Sequence, residues 1–368
     1  MNPPSACQHQ QKDDGWVVGT QGGDGSNMVR ILYTSVSTGF LLAALCVSHL
    51  WAGADATSTS REALQPVHAD LMSGKADDAI ARLNSSLATN PNDAEAHNLL
   101  CRVYYQEERW DDAIRECQTA VKLMPADSNY HLWLGRADGE KADSIHSIKA
   151  FGLAKKVRDE FEHAVQLDGS NVDALSDLGE FYTEAPGIVG GGKQKAQGVV
   201  QTLERYGPVQ ADQLKGRLAE KDKNYTAAEA DFKAAVDASN RSANAWMDLA
   251  SYYARRRQWN PMLEALHAGI DADAKAAEPH GAVLVDAADL LIRSGQDPQL
   301  AIQLLRLYLD SPNKSADSPA FQIHARLSRL LDQQGDHDSA RQESEAAAAL
   351  AHEYRSTPPK LMANKAAQ

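Results

Sequence analysis

The sequence has little of what sheet proteins and nucleic-acid-binding proteins usually show. Aromatic residues make up only 6% of its 368 residues, and β-branched runs are few. Helices are therefore favoured over strands, because alanine and straight-chain residues lose least entropy in a helix. Positive charge is also scarce, since 37 Lys and Arg stand against 50 Asp and Glu, for a formal charge of −13. Such a chain repels phosphate backbones, so nucleic-acid binding is not expected.

Motifs that hold metals or carry catalysis are missing as well. The twelve histidines have no metal-binding spacing, no two cysteines are separated by two residues, and no G-x-S-x-G sequence occurs. Zinc sites and nucleophile elbows depend on these spacings. We therefore expect no catalytic residue, no metal and no cofactor, and we interpret the chain as a protein that is not an enzyme.

One long apolar stretch lies near the N-terminus. Residues 31–51 are uncharged and largely apolar, follow Arg30, and lead into Ala52-Gly53-Ala54 just before Asp55. This order is typical of a signal peptide with a small-residue cleavage site. We interpret residues 28–54 as such a segment and expect the rest of the chain to be exported, either periplasmic or secreted.

The polar residues 1–27 show no apolar periodicity, and we interpret them as a disordered extension, with Met28 suspected as the true start. An alternative keeps residues 31–52 as a membrane anchor, because about 20 apolar residues can span a bilayer. The predicted contact with a membrane is confined to this segment, if it stays uncleaved.

A spacing of 34 residues runs through the remaining chain. Ala79 recurs at Ala113, and Asn90-Pro91 recurs in similar form at Met124-Pro125. A period of this length indicates a helical repeat in which neighbouring helix pairs must stack to bury their apolar faces.

The segment Ala94–Ala126 shows the pattern of one unit. Its first helix carries Leu100, Cys101 and Tyr104, and its second helix carries Trp110, Ala113, Cys117 and Ala120. This pattern resembles the tetratricopeptide repeat, with Cys101 in the usual Gly position and Cys117 in the usual Phe position.

Further copies repeat parts of this pattern: Leu134-Gly135 with Phe161, Leu178-Gly179 with Tyr182, Ala228 with Phe232, and Trp246 with Tyr253. The resemblance, to exported repeat proteins of bacterial type, implies an all-α, right-handed superhelical solenoid of about eight antiparallel helix pairs over residues 60–354. Residues 355–368 are predicted to be a disordered tail. The last pair is rich in charge at Glu343 and Glu345, so we expect it to face water as a cap.

The resemblance also implies a function. In such proteins the first helices of successive pairs line a concave groove that receives a protein or peptide partner. We predict the groove residues Asn98, Arg102, Tyr105, Arg136 and Glu180, with the arginines suited to acidic groups. A solvated polar helix face explains the same residues. The chain is accordingly interpreted as a non-catalytic binding scaffold in the cell envelope or outside the cytoplasm, or alternatively as a purely structural spacer.

Two segments interrupt the regular spacing, at residues 139–152 and 184–192. Both fall between the two helices of consecutive pairs, so we expect them to be neighbours in space. Insertions on one face of a solenoid often mark a binding surface, but neutral loop growth is an equal alternative.

The second of these segments runs into a Gly-rich stretch. Gly187–Lys193 matches half of a phosphate-binding loop, although Gln194 stands where Ser or Thr would hold magnesium and no strand precedes it. Nucleotide hydrolysis is therefore disfavoured. Phosphate or nucleotide binding without hydrolysis remains an alternative function, with the anion-binding residues Gly190, Gly191, Gly192 and Lys193 at a helix N-terminus. A flexible turn is the other interpretation.

The sequence has four cysteines, of which Cys7 and Cys46 precede the predicted cleavage site. Cys101 and Cys117 remain, on the two helices of one pair. An exported protein allows a disulfide between them, whereas buried structural thiols are the alternative.

Overall fold

The computed structural model describes residues 64–145 and 149–355, all of which belong to one compact unit, residues 59–368. The extension 1–27, the predicted signal segment 28–54 and nearly all of the predicted tail lie outside the described residues. No helix in the described part is long and apolar enough to cross a membrane.

Sixteen α-helices and no strand are present in the described ranges. In chain order they are α1 Gln65–Ser73, α2 Ala76–Thr89, α3 Ala94–Gln106, α4 Trp110–Leu123, α5 Ser128–Ser144, α6 Lys149–Leu167, α7 Val172–Glu184, α8 Lys193–Tyr206, α9 Pro208–Lys221, α10 Tyr225–Ala238, α11 Ala243–Arg255, α12 Trp259–Asp273, α13 Val283–Ser294, α14 Pro298–Asp310, α15 Ala320–Gln333 and α16 His337–Leu350.

Short polar side chains start many of these helices. Asp93, Asn171 and Ser242 each accept a hydrogen bond from the backbone N–H three residues later. Each bond satisfies a donor that the first helical turn leaves free. The helices of a pair are joined by short turns, such as residues 107–109 between α3 and α4, so the two must run antiparallel.

Each helix packs against the helices before and after it in the chain. Apolar side chains between successive pairs form the core, which consists of separate clusters that each span more than one pair. The predicted all-α solenoid of eight helix pairs is confirmed.

Small residues let the two helices of a pair cross closely. A Cβ added to Gly135 would lie 2.5 Å from the ring of Phe161, and one added to Gly216 would lie 2.9 Å from Phe232. The pair α3–α4 has Cys101 opposite Cys117 at the corresponding place, with both side chains fully buried.

The last helix pair packs against the first. Phe321 of α15 and Ala351, just after α16, are buried in the same apolar cluster as Leu64, Val67 and Leu71 at α1. The expectation that the last pair faces water as a cap is therefore wrong for α15. The first pair offers it an apolar surface, and burying both surfaces is worth more than leaving either in water.

Hydrogen bonds join the two ends as well. Gln106 Nε2 at the end of α3 donates to the carbonyl of Ala316 at 2.6 Å, and Gln322 Nε2 donates to the carbonyl of Gln106 at 2.6 Å. The hydroxyl of Tyr354 donates to Glu108 at 3.3 Å. We call this contact between the ends the closure.

The two insertions take different forms. Residues 139–144 and 149–152 continue α5 and α6 as longer helices of 17 and 19 residues, where a loop was expected. The second insertion contains a short 3₁₀ turn at Gly187–Val189, which packs on α6, where Arg158 donates to the carbonyl of Val189 at 3.3 Å. Added residues lengthen a helix when they supply helix-forming side chains, and form a turn when they are Gly-rich.

Candidate functional site

The closure borders an open cavity of about 690 Å³ between α3, α5 and α15. Its walls combine arginines, aromatic rings and carboxylates, notably Arg102, Tyr105, Trp110, Trp133, Asp317 and Arg326. Pockets that hold a ligand usually measure roughly 300 to 1,000 Å³. We call this space the closure cavity, and it includes two of the five predicted groove residues, Arg102 and Tyr105.

Arg102 lies partly buried in this cavity. Its guanidinium stacks on Trp133, with 4.7 Å from Cζ to the ring centroid. Its Nε is buried and has no hydrogen-bond partner within the described residues. Burial lowers the pKa of Arg102 below its ordinary value, and the charges of Asp317 and Glu95 offset part of that effect.

Tyr105 connects the aromatic rings of the cavity. Its ring meets Trp110 edge-on at 5.4 Å and Trp133 at 5.6 Å between centroids. Its hydroxyl donates to Glu140 at 3.3 Å, and burial followed by the charge of Glu140 raises the pKa of Tyr105 above its usual range. The three rings form a wall that could contact apolar parts of a ligand.

Arg136 and Asn98 stand beside this wall and not inside the cavity. Arg136 stacks on Trp133 at 5.0 Å and donates from Nε to Asp177 at 2.6 Å, so its charge is already paired. Asn98 is only 4% exposed, and its Oδ1 has no hydrogen-bond partner in the described part of the chain. A ligand in the cavity would thus meet Arg102 and Tyr105 before either of these.

Glu180 belongs to a different place on the solenoid. It lines a second cavity of about 320 Å³ with Gln213, Arg217, Asp248 and residues around them. Its carboxylate lies 3.4 Å from Arg217. The structure therefore separates Glu180 from the other predicted groove residues.

Asp248 in this second cavity carries an unfavourable charge. Burial, and then the charge of Asp286, raise the pKa of Asp248 to about 6, although Gln213 donates a hydrogen bond to the carboxylate. Because the folded-state pKa exceeds that of the unfolded chain, the ionised form destabilises the fold above about pH 6. That penalty disappears as the pH falls from about 6 to 4.

We expect Asp248→Asn to raise the free energy of unfolding at pH 7 by about 1 kcal/mol, a value reduced for solvent screening. The gain over wild type should vanish near pH 4, as measured by urea unfolding across this range. Asp177→Asn is the matched control with the opposite sign, because it removes the negative charge that pairs with Arg136. A loss of stability in Asp248→Asn at pH 7 would contradict the argument.

The Gly-rich segment is occupied by its own contacts. Gly190 has a φ of +103°, and Lys193, the first residue of α8, forms an ion pair with Asp222 at 2.5 Å. The backbone N–H of Gly192 donates to the carbonyl of Tyr182 at 2.8 Å. The backbone N–H groups of Gly190 and Gly191 likewise donate to the carbonyls of Gly187 and Pro186. The lysine and all three glycine amides of the predicted anion site thus already have partners within the chain.

Cys101 and Cys117 form a disulfide, with 5.3 Å between their Cα atoms. It links α3, which carries Arg102, to α4, which begins with Trp110.

Within residues 64–145 and 149–355, no group of three or more His, Cys, Asp or Glu side chains could hold a metal ion.

The sequence reasoning missed most of the closure cavity. Trp133, Gln322 and Arg326 were not singled out, because α5 and α15 are far apart along the chain and come together only through the closure. The sequence does carry one signal of the closure. Phe321 is a large apolar residue on α15, and such a residue is not expected on a helix that faces water.

Comparisons with known proteins agree with this fold. Residues 70–136 and residues 194–259 each match a family model described as tetratricopeptide repeat. These two segments therefore match the tetratricopeptide repeat, and both lie within the all-α solenoid.

Several solved structures are similar to the chain. Yeast Tom70 shares 18% identity over 75% of this chain and 55% of Tom70, with a TM-score of 0.47. TTC0263, a thermophilic TPR protein of Thermus thermophilus, shares 15% identity over 63% of this chain and 98% of its own, with a TM-score of 0.41. YrrB, a TPR protein with an unusual peptide-binding site, shares 18% identity over 52% of this chain and 93% of its own, with a TM-score of 0.33. The chain thus spans just over half the length of Tom70.

Proposed function

We propose that this protein is a non-catalytic scaffold that binds a protein or peptide partner in the closure cavity, in the cell envelope or outside the cytoplasm. The observation that carries the proposal is the cavity itself, which has a ligand-sized volume and an arginine and three aromatic rings in its wall. Aromatic residues and arginine are the side chains that dominate binding energy at protein interfaces.

The repeat architecture supports the same proposal. Stacked helix pairs build an extended inner surface on rigid elements, which suits binding better than chemistry. The proposed location rests on residues 28–54, with their apolar run and small-residue site. The exported, bacterial type of repeat protein is proposed on the same ground.

A photo-crosslinker placed at the cavity edge tests the binding function. We expect a photoreactive phenylalanine analogue at position 140 to give a specific adduct in cells, because Glu140 is exposed at that edge. The same analogue at position 307, an exposed leucine on α14, is the matched control and should give none.

Equal adducts at both positions would contradict a cavity-directed partner, and no adduct at either would favour the structural-spacer interpretation. N-terminal sequencing of the crosslinked protein checks the location in the same experiment. A chain that begins at Asp55 in an exported fraction is the expected result, and a chain that keeps residues 31–52 in the membrane supports the anchor.

A further inference from the structure

Four arginines on the first helices of the pairs follow one arrangement. Each pairs with a carboxylate on another inner helix: Arg136 with Asp177 at 2.6 Å, Arg217 with Glu184 at 3.2 Å, Arg255 with Glu220 at 2.9 Å, and Arg326 with Asp289 at 2.7 Å. These pairs are partly shielded from water, and each satisfies the charge of its guanidinium.

Arg102 on α3 departs from this arrangement, as does Arg293 on α13, which donates to the backbone carbonyl of Asp289. No carboxylate of the described residues lies within ion-pair distance of Arg102, and its buried Nε lacks a hydrogen-bond partner there. The next first helix along the chain offers it Trp133, on which it stacks, whereas Arg136 meets Asp177 on the first helix that follows its own. Asp317 and Glu95 offset only part of the cost of burying this guanidinium, so the site favours a carboxylate that contacts it directly.

The surroundings of Arg102 narrow the kind of ligand. Tyr105, Trp110 and Trp133 supply an aromatic wall against which apolar parts of a peptide can pack. Four carboxylates also border the cavity, those of Glu108, Glu140, Asp143 and Asp317. Glu108 accepts a hydrogen bond from Tyr354, and the other three residues are exposed. Water screens exposed charges, whereas it screens the half-buried Arg102 much less. Arg102 is therefore a weakly screened positive charge in the cavity, and three exposed carboxylates lie at the cavity edge.

We infer that the closure cavity binds an extended peptide segment by pairing one of its acidic side chains with Arg102. The inference rests on the proposed binding function and adds the chemistry of the partner. The acidic side chain stands between apolar neighbours that contact the aromatic wall, and the negative edge accepts neutral or basic flanking residues. Because α15 forms one wall, the site is complete only when the closure is formed.

Peptide pools that differ by one charge test this inference. Two fluorescein-labelled hexapeptide pools with blocked termini are randomised except at the third position, which is Glu in one and Gln in the other. We expect the full-length protein to bind the Glu pool about tenfold more tightly by fluorescence anisotropy, the effect of one charge-assisted hydrogen-bonded pair.

Arg102→Gln should abolish this preference, after circular dichroism shows that the variant is folded. Arg306→Gln is the matched control, because Arg306 is exposed on α14, and it should keep the full preference. The Glu-to-Gln comparison on the wild-type protein needs no variant, so the inference stays testable if Arg102→Gln fails to fold.

The outcomes separate this inference from the proposed function. Equal binding of both pools by the wild-type protein would overturn the Arg102 assignment and leave peptide binding intact. A third pool, with Gln at the fixed position and a free C-terminus, identifies the source of the carboxylate. If that pool bound as tightly as the Glu pool, a terminal carboxylate would replace the side chain and the inference would be wrong. Binding of no pool, with a specific adduct at position 140, would overturn the inference alone.

Discussion

Gly74→Ala is expected to release the last helix pair from the first. Gly74 ends α1 with a φ of +69°, and a Cβ at this position would lie 2.2 Å from the backbone N of Ala320 and 2.9 Å from the carbonyl carbon of Pro319. Backbone atoms cannot move aside as a flexible side chain can. The start of α15 must therefore shift away, and the hydrogen bonds between Gln106 and the segment around α15 are lost with it.

Gly295→Ala supplies the matched control for this prediction. Gly295 ends α13 with a φ of +68°, and an added Cβ there meets nothing within 4 Å. Both variants bear the cost of placing alanine in the left-handed region, about 1 kcal/mol, but only Gly74→Ala adds the backbone clash.

Hydrogen exchange and small-angle X-ray scattering measure the difference. We expect faster amide exchange at residues 316–322 and a larger radius of gyration in Gly74→Ala, with neither change in Gly295→Ala. The same exchange pattern in both variants would mean that left-handed strain alone is responsible and that the closure tolerates the added methyl group. In the peptide-pool experiment, Gly74→Ala should also weaken binding, because α15 forms part of the cavity.

Reduction of the disulfide is expected to lower the free energy of unfolding, and this is the second of the two largest predicted effects. The bond joins Cys101 to Cys117, 16 residues apart. Closing a loop of that length lowers the conformational entropy of the unfolded chain, which stabilises the folded state by about 3 kcal/mol. Both sulfur-bearing side chains are fully buried at the crossing of α3 and α4. Loosening this crossing should also disturb Arg102 and Trp110, which flank it.

The measurement compares oxidised and reduced protein in a background in which Cys7 and Cys46 are replaced by serine, so that only one pair can react. We expect the midpoint of urea unfolding to fall on reduction by an amount that corresponds to about 3 kcal/mol. Thiol titration of the unfolded, unreduced protein should find no free thiol. Two free thiols and equal midpoints would show that the cysteines act as buried thiols.

The repeat pattern predicted the fold well, and the reason is local. Ala113, Gly135 and Phe161 lie at close helix contacts, and the size of each side chain at such a crossing is restricted by its immediate partner. The spacing of these residues therefore predicted both the helices and their pairing. The predicted facing of Cys101 and Cys117 follows from the same local rule.

The candidate site could be predicted only in part. Arg102 and Tyr105 were singled out because they share one face of α3, and the structure places both in the closure cavity. Glu180 obeys the same helical spacing but lines another cavity, because a helical pattern says which side chains point inward and not which distant helices lie opposite. Arg136 points the same way as Arg102, yet Asp177 already pairs with its charge.

By itself, the sequence determined an all-α chain, its helix pairs and their order, because the contacts that specify them lie within about one repeat along the chain. Only the tertiary structure decided that α15 returns to α1, since Gln106 and Gln322 are 216 residues apart and their contact depends on a small rotation summed over every pair. That accumulated rotation, and not any local pattern, also creates the closure cavity. It likewise leaves Arg102 without a carboxylate within ion-pair distance among the described residues.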